Sequence, residues 1–145
     1  MINIEKVDHI GIRVTDAKRA VDFYALLGFE VMIDVEFDAV VILKNAQGIE
    51  LNLIVNGVDV TGGKNILMDA DDKYPGYTHV ALGVESIKDT IDALENNDIP
   101  ITQGPVTFGD DHVSVFIRVP DRNVIELRGR EQNLSSIAGI TFYEP

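Results

Sequence analysis

The hydrophobic and polar positions of this chain change period several times, and each change predicts an element. Over residues 6–14 a side-chain period of two puts His9, Gly11 and Arg13 on one face of a strand and Ile10, Ile12 and Val14 on the other. The period then becomes helical. Asp16 is a good N-cap, and Ala20, Val21, Tyr24 and Leu27 follow at helical spacing until Gly28 stops the run. Residues 29–35, 39–44 and 49–55 read as three strands, with Asn45-Ala-Gln-Gly48 a turn before the last. On that last strand Glu50, Asn52 and Ile54 face together, opposite Leu51, Leu53 and Val55. The first half therefore predicts β-α-β-β-β.

Glycine and proline punctuation at Asn56-Gly57, Gly62-Gly63 and Pro75-Gly76 marks residues 57–76 as a linker. Its acidic run Asp69-Ala-Asp-Asp72 lacks the regular ligand spacing and glycine of a calcium loop and reads as solvated. The second half then repeats the scheme. It has a strand at 77–84, a helix from Ser86 to about Asn96, a short strand at 100–102, a loop at 104–109, a strand at 113–119, a turn at 120–123 and a last strand at 124–128. His112 follows Asp110-Asp111 in a loop and reads as a surface histidine. In the tail, residues 131–145, Ile137, Ile140, Phe142 and Tyr143 are apolar enough to dock on a neighbouring surface.

The recurrence is also visible residue by residue. An offset of 70 (79 − 9) lays His79-Val-Ala-Leu-Gly-Val on His9-Ile-Gly-Ile-Arg-Val, and an offset of 76 (126 − 50) lays Ile125-Glu126-Leu127 on Ile49-Glu50-Leu51. Two tandem βαβββ modules result, about 6–56 and 77–130, an α+β architecture. Each would be marginal alone, so residues 1–145 are expected to form one domain in which the modules pair into a cup-shaped mixed sheet.

Composition narrows the function classes. A content of 46% hydrophobic and 25% charged residues describes a folded protein. The net charge of −12 disfavours nucleic acid or an anionic membrane surface as partner and means that an anionic substrate needs a local cation. The absence of cysteine excludes thiolate chemistry and disulfides. No signal-peptide pattern stands at residues 1–6 and no apolar stretch approaches the ~18 residues of a membrane span, so a cytoplasmic location is expected.

The candidate chemistry lies in the repeated His and Glu. If each module is a curved sheet and the two pair pseudo-symmetrically, the first and last strands of each bring His9, Glu50, His79 and Glu126 to one centre. Two imidazoles and two carboxylates suit Zn, Ni, Co, Mn or Fe(II) and give little reason for Cu(I). Four protein ligands on an octahedral ion leave two positions for water or substrate oxygens. A lone His in a strand is most often structural, and a lone Glu among apolar residues is costly to bury. Here both types recur at equivalent places.

His9-Ile-Gly-Ile-Arg-Val with Phe23-Tyr24 and Leu27-Gly28-Phe29, His79-Val-Ala-Leu-Gly-Val, and Pro120-Asp-Arg-Asn-Val-Ile-Glu126-Leu together resemble the vicinal oxygen chelate superfamily, the glyoxalase, bleomycin-resistance and extradiol-dioxygenase proteins. The resemblance spans roughly residues 6–130 and is strongest to glyoxalase I. It implies a divalent metal held by His9, Glu50, His79 and Glu126, a small 2-oxo substrate of the hemithioacetal type, Arg13 as a substrate-binding residue, and a homodimer. In that resemblance Glu50 or Glu126 acts as the base, with Glu126 slightly favoured. Two departures are the Pro120-Asp-Arg-Asn turn and Ile54 where that enzyme has Asn. The same resemblance allows an acyl-CoA epimerase, an extradiol-type dioxygenase using His112 as acid-base residue, or a metal-free, bleomycin-resistance-like binding protein.

Overall fold

The computed structural model describes residues 1–35, 39–59 and 62–144. Residues 60 and 61 of the expected linker and Pro145 of the expected tail lie outside the described residues. The chain divides into two compact units, Met1–Gly63 and Lys64–Pro145.

In the first unit β1 (Ile10–Arg13), α1 (Ala17–Leu26), β2 (Glu30–Val35), β3 (Val40–Lys44) and β4 (Glu50–Ile54) follow in order. The sheet order is β1-β4-β3-β2, with β1 parallel to β4 and the other pairs antiparallel. Asp16 caps α1 by accepting from the Arg19 amide, and Gly28, at φ +88°, adopts the left-handed setting just past the helix. The alternation expected for β1 is present. Ile10 and Ile12 are half-buried and Val14 is buried, while His9, Gly11 and Arg13 are exposed. The expected strand 6–14 is nevertheless shorter. Its ladder with β4 begins at Ile10 opposite Leu51, so the residues before Ile10 have no strand partner. Leu43, Leu51 and Leu53, fully buried, join Val14, Ala20, Tyr24, Phe29 and Val41 in the core. At about 2 kcal/mol for each buried Leu, these residues hold the opposite face of the sheet free to carry polar groups.

The second unit repeats the plan with β5 (His79–Gly83), α2 (Ile87–Asn96), β6 (Ile101–Thr107), β7 (His112–Arg118), β8 (Val124–Arg130), a 3-10 turn at Leu134–Ser136, and β9 (Thr141–Phe142). Its order is β5-β8-β7-β6-β9, again with the first strand parallel to the fourth. Ser86 caps α2 through the Asp89 amide. Ile87, Leu94, Val113, Val115, Ile117 and Leu127 are among the core side chains.

Two expectations need correction, and the tail pairs within its own unit while leaving Phe142 and Tyr143 exposed. The loop at 104–109 is mostly strand: β6 runs through Gly104 to Thr107, with irregular register between Gln103 and Val106. Gly104 stands at φ +91° where a Cβ would lie 2.6 Å from the Ser114 carbonyl oxygen, so the turn-like Gly-Pro pair is a bulge that lets the strand continue. His112 opens β7 rather than lying in a loop. The tail folds back on its own unit: Ile137 is buried, β9 pairs with β6, and the Tyr143 amide donates to the Thr107 carbonyl at 2.9 Å.

Part of the expected linker is also ordered onto this unit. Asn65 Oδ1 accepts from the Leu67 and Met68 amides, its Nδ2 donates to Asn123 Oδ1 at 3.2 Å, and Asp69 accepts from the Asn65 amide and the Arg118 guanidinium. Among the described residues no helix is long and apolar enough to cross a membrane.

Candidate metal centre

The parallel pairing of first and last strands is what places chemistry in each unit. In the second unit His79 lies opposite Val124 and Ala81 opposite Glu126. His79 and Glu126 therefore share one face, two positions out of register. Their side chains meet there, with His79 Nε2 3.1 Å from Glu126 Oε2. Thr78 Oγ1 stands 2.9 Å from the other ring nitrogen, Nδ1, and the Phe116 ring packs edge-on at 5.6 Å between centroids. Glu126 is only 7% exposed. Its second oxygen, Oε1, accepts a 2.6 Å hydrogen bond from Ser114, and Arg128 Nη1 donates to that hydroxyl at 3.3 Å. Arg128 in turn pairs with Asp110 and lies 5.6 Å over the Phe108 ring.

The first unit offers an equivalent pair held differently. His9 stands just ahead of β1, its Nδ1 2.7 Å from Asp8 Oδ2 and 3.9 Å from Glu50 Oε2. The His9 hydrogen bond draws the exposed Asp8 carboxyl below its ordinary range. Donor atoms of Asp8, His9 and Glu50 lie within 4.8 Å of one another. Lys44, opposite Glu50 on β3, brings its ammonium 3.7 Å from Oε1. Arg13 shares the face of His9 and donates to Asn56 Oδ1 at 3.0 Å. Asn52, next along the Glu50 face, keeps its buried Oδ1 without a hydrogen bond among the described residues.

These donor sets fit a divalent ion. Bonds of about 2.1 Å put neighbouring ligand atoms about 3.0 Å apart at right angles and about 3.4 Å apart at the tetrahedral angle. The His79–Glu126 separation of 3.1 Å falls in that range, whereas His9 and Glu50, at 3.9 Å, would have to close up on an ion. The buried Glu126 carboxylate is met by an imidazole and a hydroxyl, with no direct Lys or Arg ion pair among the described residues. A buried carboxylate held by these hydrogen bonds alone is a place where a cation would be stabilised.

Asp8, Thr78 and Ser114 were not singled out from the sequence. A signal existed for two of them: Asp8 and Thr78 each immediately precede a His, and both touch its Nδ1. Ser114 is the lone hydroxyl between Val113 and Val115, both buried. His112 Nδ1 is 2.9 Å from Asp111 Oδ1 without a well-aligned hydrogen bond, away from the His79–Glu126 pair along β7.

A family model described as the Glyoxalase/Bleomycin resistance protein/Dioxygenase superfamily matches residues 6–127. No curated protein matches the chain. Among solved structures, a glyoxalase/dioxygenase from Nostoc punctiforme is 21% identical with a TM-score of 0.70, covering 90% of this chain and 94% of that one. A glyoxalase family protein from Bacillus cereus is 16% identical with a TM-score of 0.64, covering 89% and 96%. A virulence protein from Salmonella typhimurium is 22% identical with a TM-score of 0.65, covering 90% and 100%. At these identities the likeness establishes the fold alone.

Proposed function

The chain belongs to the glyoxalase/bleomycin resistance protein/dioxygenase superfamily, and from that premise we propose that it is a metal-dependent lyase or isomerase of the glyoxalase I kind. The substrate is a small 2-oxo compound of the hemithioacetal type. His9, Glu50, His79 and Glu126 are the ligands of this reading, and the protein acts as a homodimer. A cytoplasmic location is part of this reading.

A divalent ion of Ni, Co, Zn, Mn or Fe(II), when bound, supplies Lewis acidity that weakens the substrate C–H and stabilises the enediolate. The rest belongs to the chain. One carboxylate, Glu126 or Glu50, takes the proton from the carbon bearing hydroxyl and sulfur and returns it to the adjacent carbon, while the hydroxyl proton passes to the former carbonyl oxygen, so the product is an isomer of the substrate. Arg13, a cation on the His9 face of an acidic protein, binds the anionic end of the substrate.

The observation that supports this most is the repetition of one His–Glu pair in both units, with Glu126 buried. The test is metal content per chain after separate loading with each of the five ions, followed by a hemithioacetal isomerase assay. About one ion per chain is expected, lost in His79→Ala, with turnover abolished in Glu126→Gln while the circular dichroism spectrum is unchanged. A protein that takes up no ion under any loading is instead a metal-free small-molecule binder. Bound ion with ring cleavage of a catechol, or with epimerisation of an acyl-CoA, would replace the lyase by another reaction of the superfamily.

A further inference from the structure

The two glutamates occupy equivalent places in the two units, yet their surroundings differ. Phe116 and Ser114 on β7 correspond to Lys44 and Ile42 on β3, because Phe116 lies opposite Glu126 as Lys44 lies opposite Glu50, and Ser114 lies opposite Arg128 as Ile42 lies opposite Asn52. Ser114 has no exposed surface. Its hydroxyl has one proton and two lone pairs, whereas a guanidinium has donors only. With Arg128 Nη1 donating to Ser114 Oγ at 3.3 Å, the hydroxyl proton is directed to Glu126 Oε1 at 2.6 Å. The chain of donors runs Arg128 to Ser114 to Glu126, and Asp110 fixes the Arg128 end. One lone pair of Glu126 Oε1 takes the hydroxyl proton, and Oε2 is the oxygen that faces His79. Among the described residues no hydrogen bond anchors Glu50, and Lys44 Nζ and His9 Nδ1 stand 3.7 and 3.9 Å away, longer than a hydrogen bond.

We propose that Ser114, oriented by Arg128, is a positioning residue that sets the direction of the Glu126 carboxylate and turns its Oε2 toward His79. This rests on the metal-dependent reading above. A hydrogen bond to a ligating carboxylate sets its direction and limits its swing, and losing such a supporting partner typically weakens metal binding by about 10- to 100-fold.

The experiment has a metal-free arm and a metal arm. In the metal-free protein, proton NMR should show a slowly exchanging Ser114 hydroxyl, absent in Ser114→Ala and exchanging faster in Arg128→Gln. A Ser114 hydroxyl that exchanges freely in the wild type overturns the anchor. In the metal arm, Co(II) titration read by visible absorbance should show at least about tenfold weaker binding and an altered spectrum for Ser114→Ala, a smaller change in the same direction for Arg128→Gln, and no further loss when Ser114→Ala is added to Glu126→Gln. If Ser114→Ala does not fold, Arg128→Gln and the hydroxyl signal decide the question. Unchanged affinity and spectrum in folded Ser114→Ala, or a double variant whose losses simply multiply, overturns the proposal although the wild type binds metal. A wild type that binds no Co(II) sinks the metal reading and with it the ligand role, while the hydroxyl signal still decides whether Ser114 anchors Glu126.

Discussion

Replacing Gly104 by alanine tests how β6 is seated on β7. The residue sits at φ +91°, and a Cβ there would stand 2.6 Å from the Ser114 carbonyl oxygen and 3.2 Å from the Val106 nitrogen. The left-handed setting costs an L residue about 1–2 kcal/mol. Both obstacles are backbone atoms that cannot rotate aside, and overpacking of this kind adds about 1–3 kcal/mol. A loss of about 3 kcal/mol is therefore expected. With a urea dependence of about 2 kcal/mol/M, the unfolding midpoint should fall by about 1.5 M, measured by far-ultraviolet circular dichroism. Gly83→Ala is the control, because a Cβ there meets nothing within 4 Å and its φ is not left-handed. That variant should stay within about 0.5 kcal/mol of wild type. Equal midpoints for the two variants would refute the claim that close backbone approach dictates glycine at 104.

Three further outcomes are expected. Asp16→Ala removes the side-chain acceptor of the Arg19 amide at 2.9 Å and should cost about 1 kcal/mol in the same urea assay, whereas no change would show that the cap is not felt. Tyr24→Ala empties a site that is 1% exposed and packed edge-on by Phe23 and Phe29, and should cost about 3–5 kcal/mol; a loss below about 1 kcal/mol would mean that the core around α1 collapses into the space. The Asn65 amide, and after it the Arg118 guanidinium, holds the Asp69 carboxyl below its ordinary value of 3.8. A depressed folded value means that the contact contributes in full above that pH and is lost as the pH falls through the lower folded value. The Asn65 amide resonance should accordingly shift on acidification below about pH 3.8, and in Asp69→Asn it should already be displaced at neutral pH; a wild-type resonance indifferent to acid would contradict the assignment.

Elements with a local cause were legible in the sequence. Asp16 and Ser86 cap the two helices where their spacing to the apolar residues required it. The strict alternation from Ile10 to Val14 fixed which face holds His9 and Arg13, because a period of two leaves no other arrangement. What escaped depended on partners distant along the chain. Gly104-Pro105 carries the local mark of a turn, but pairing with β7 turns it into a bulge within a strand. Asn65 and Asp69 look like a solvated acidic linker until Arg118, Arg122 and Asn123 on the β7–β8 turn are brought to them. The His–Glu pairs were read from repetition, whereas the Ser114 contact depends on a diagonal relation between β7 and β8 that only the register reveals.

In both units the opening strand pairs with the closing one, so each imidazole waits for a carboxylate far along the chain. His79 and Glu126 are separated by 47 residues, and closing a loop of that length has an entropy term of about 3.4 kcal/mol before any contact repays it. Such non-local pairings form late. A nascent chain carrying β5, α2, β6 and β7 has the histidine and Ser114 but not yet Glu126, the partner of both. The contact is thus a product of the completed sheet rather than a seed for it, and the last strand to be made is the one that brings its acid.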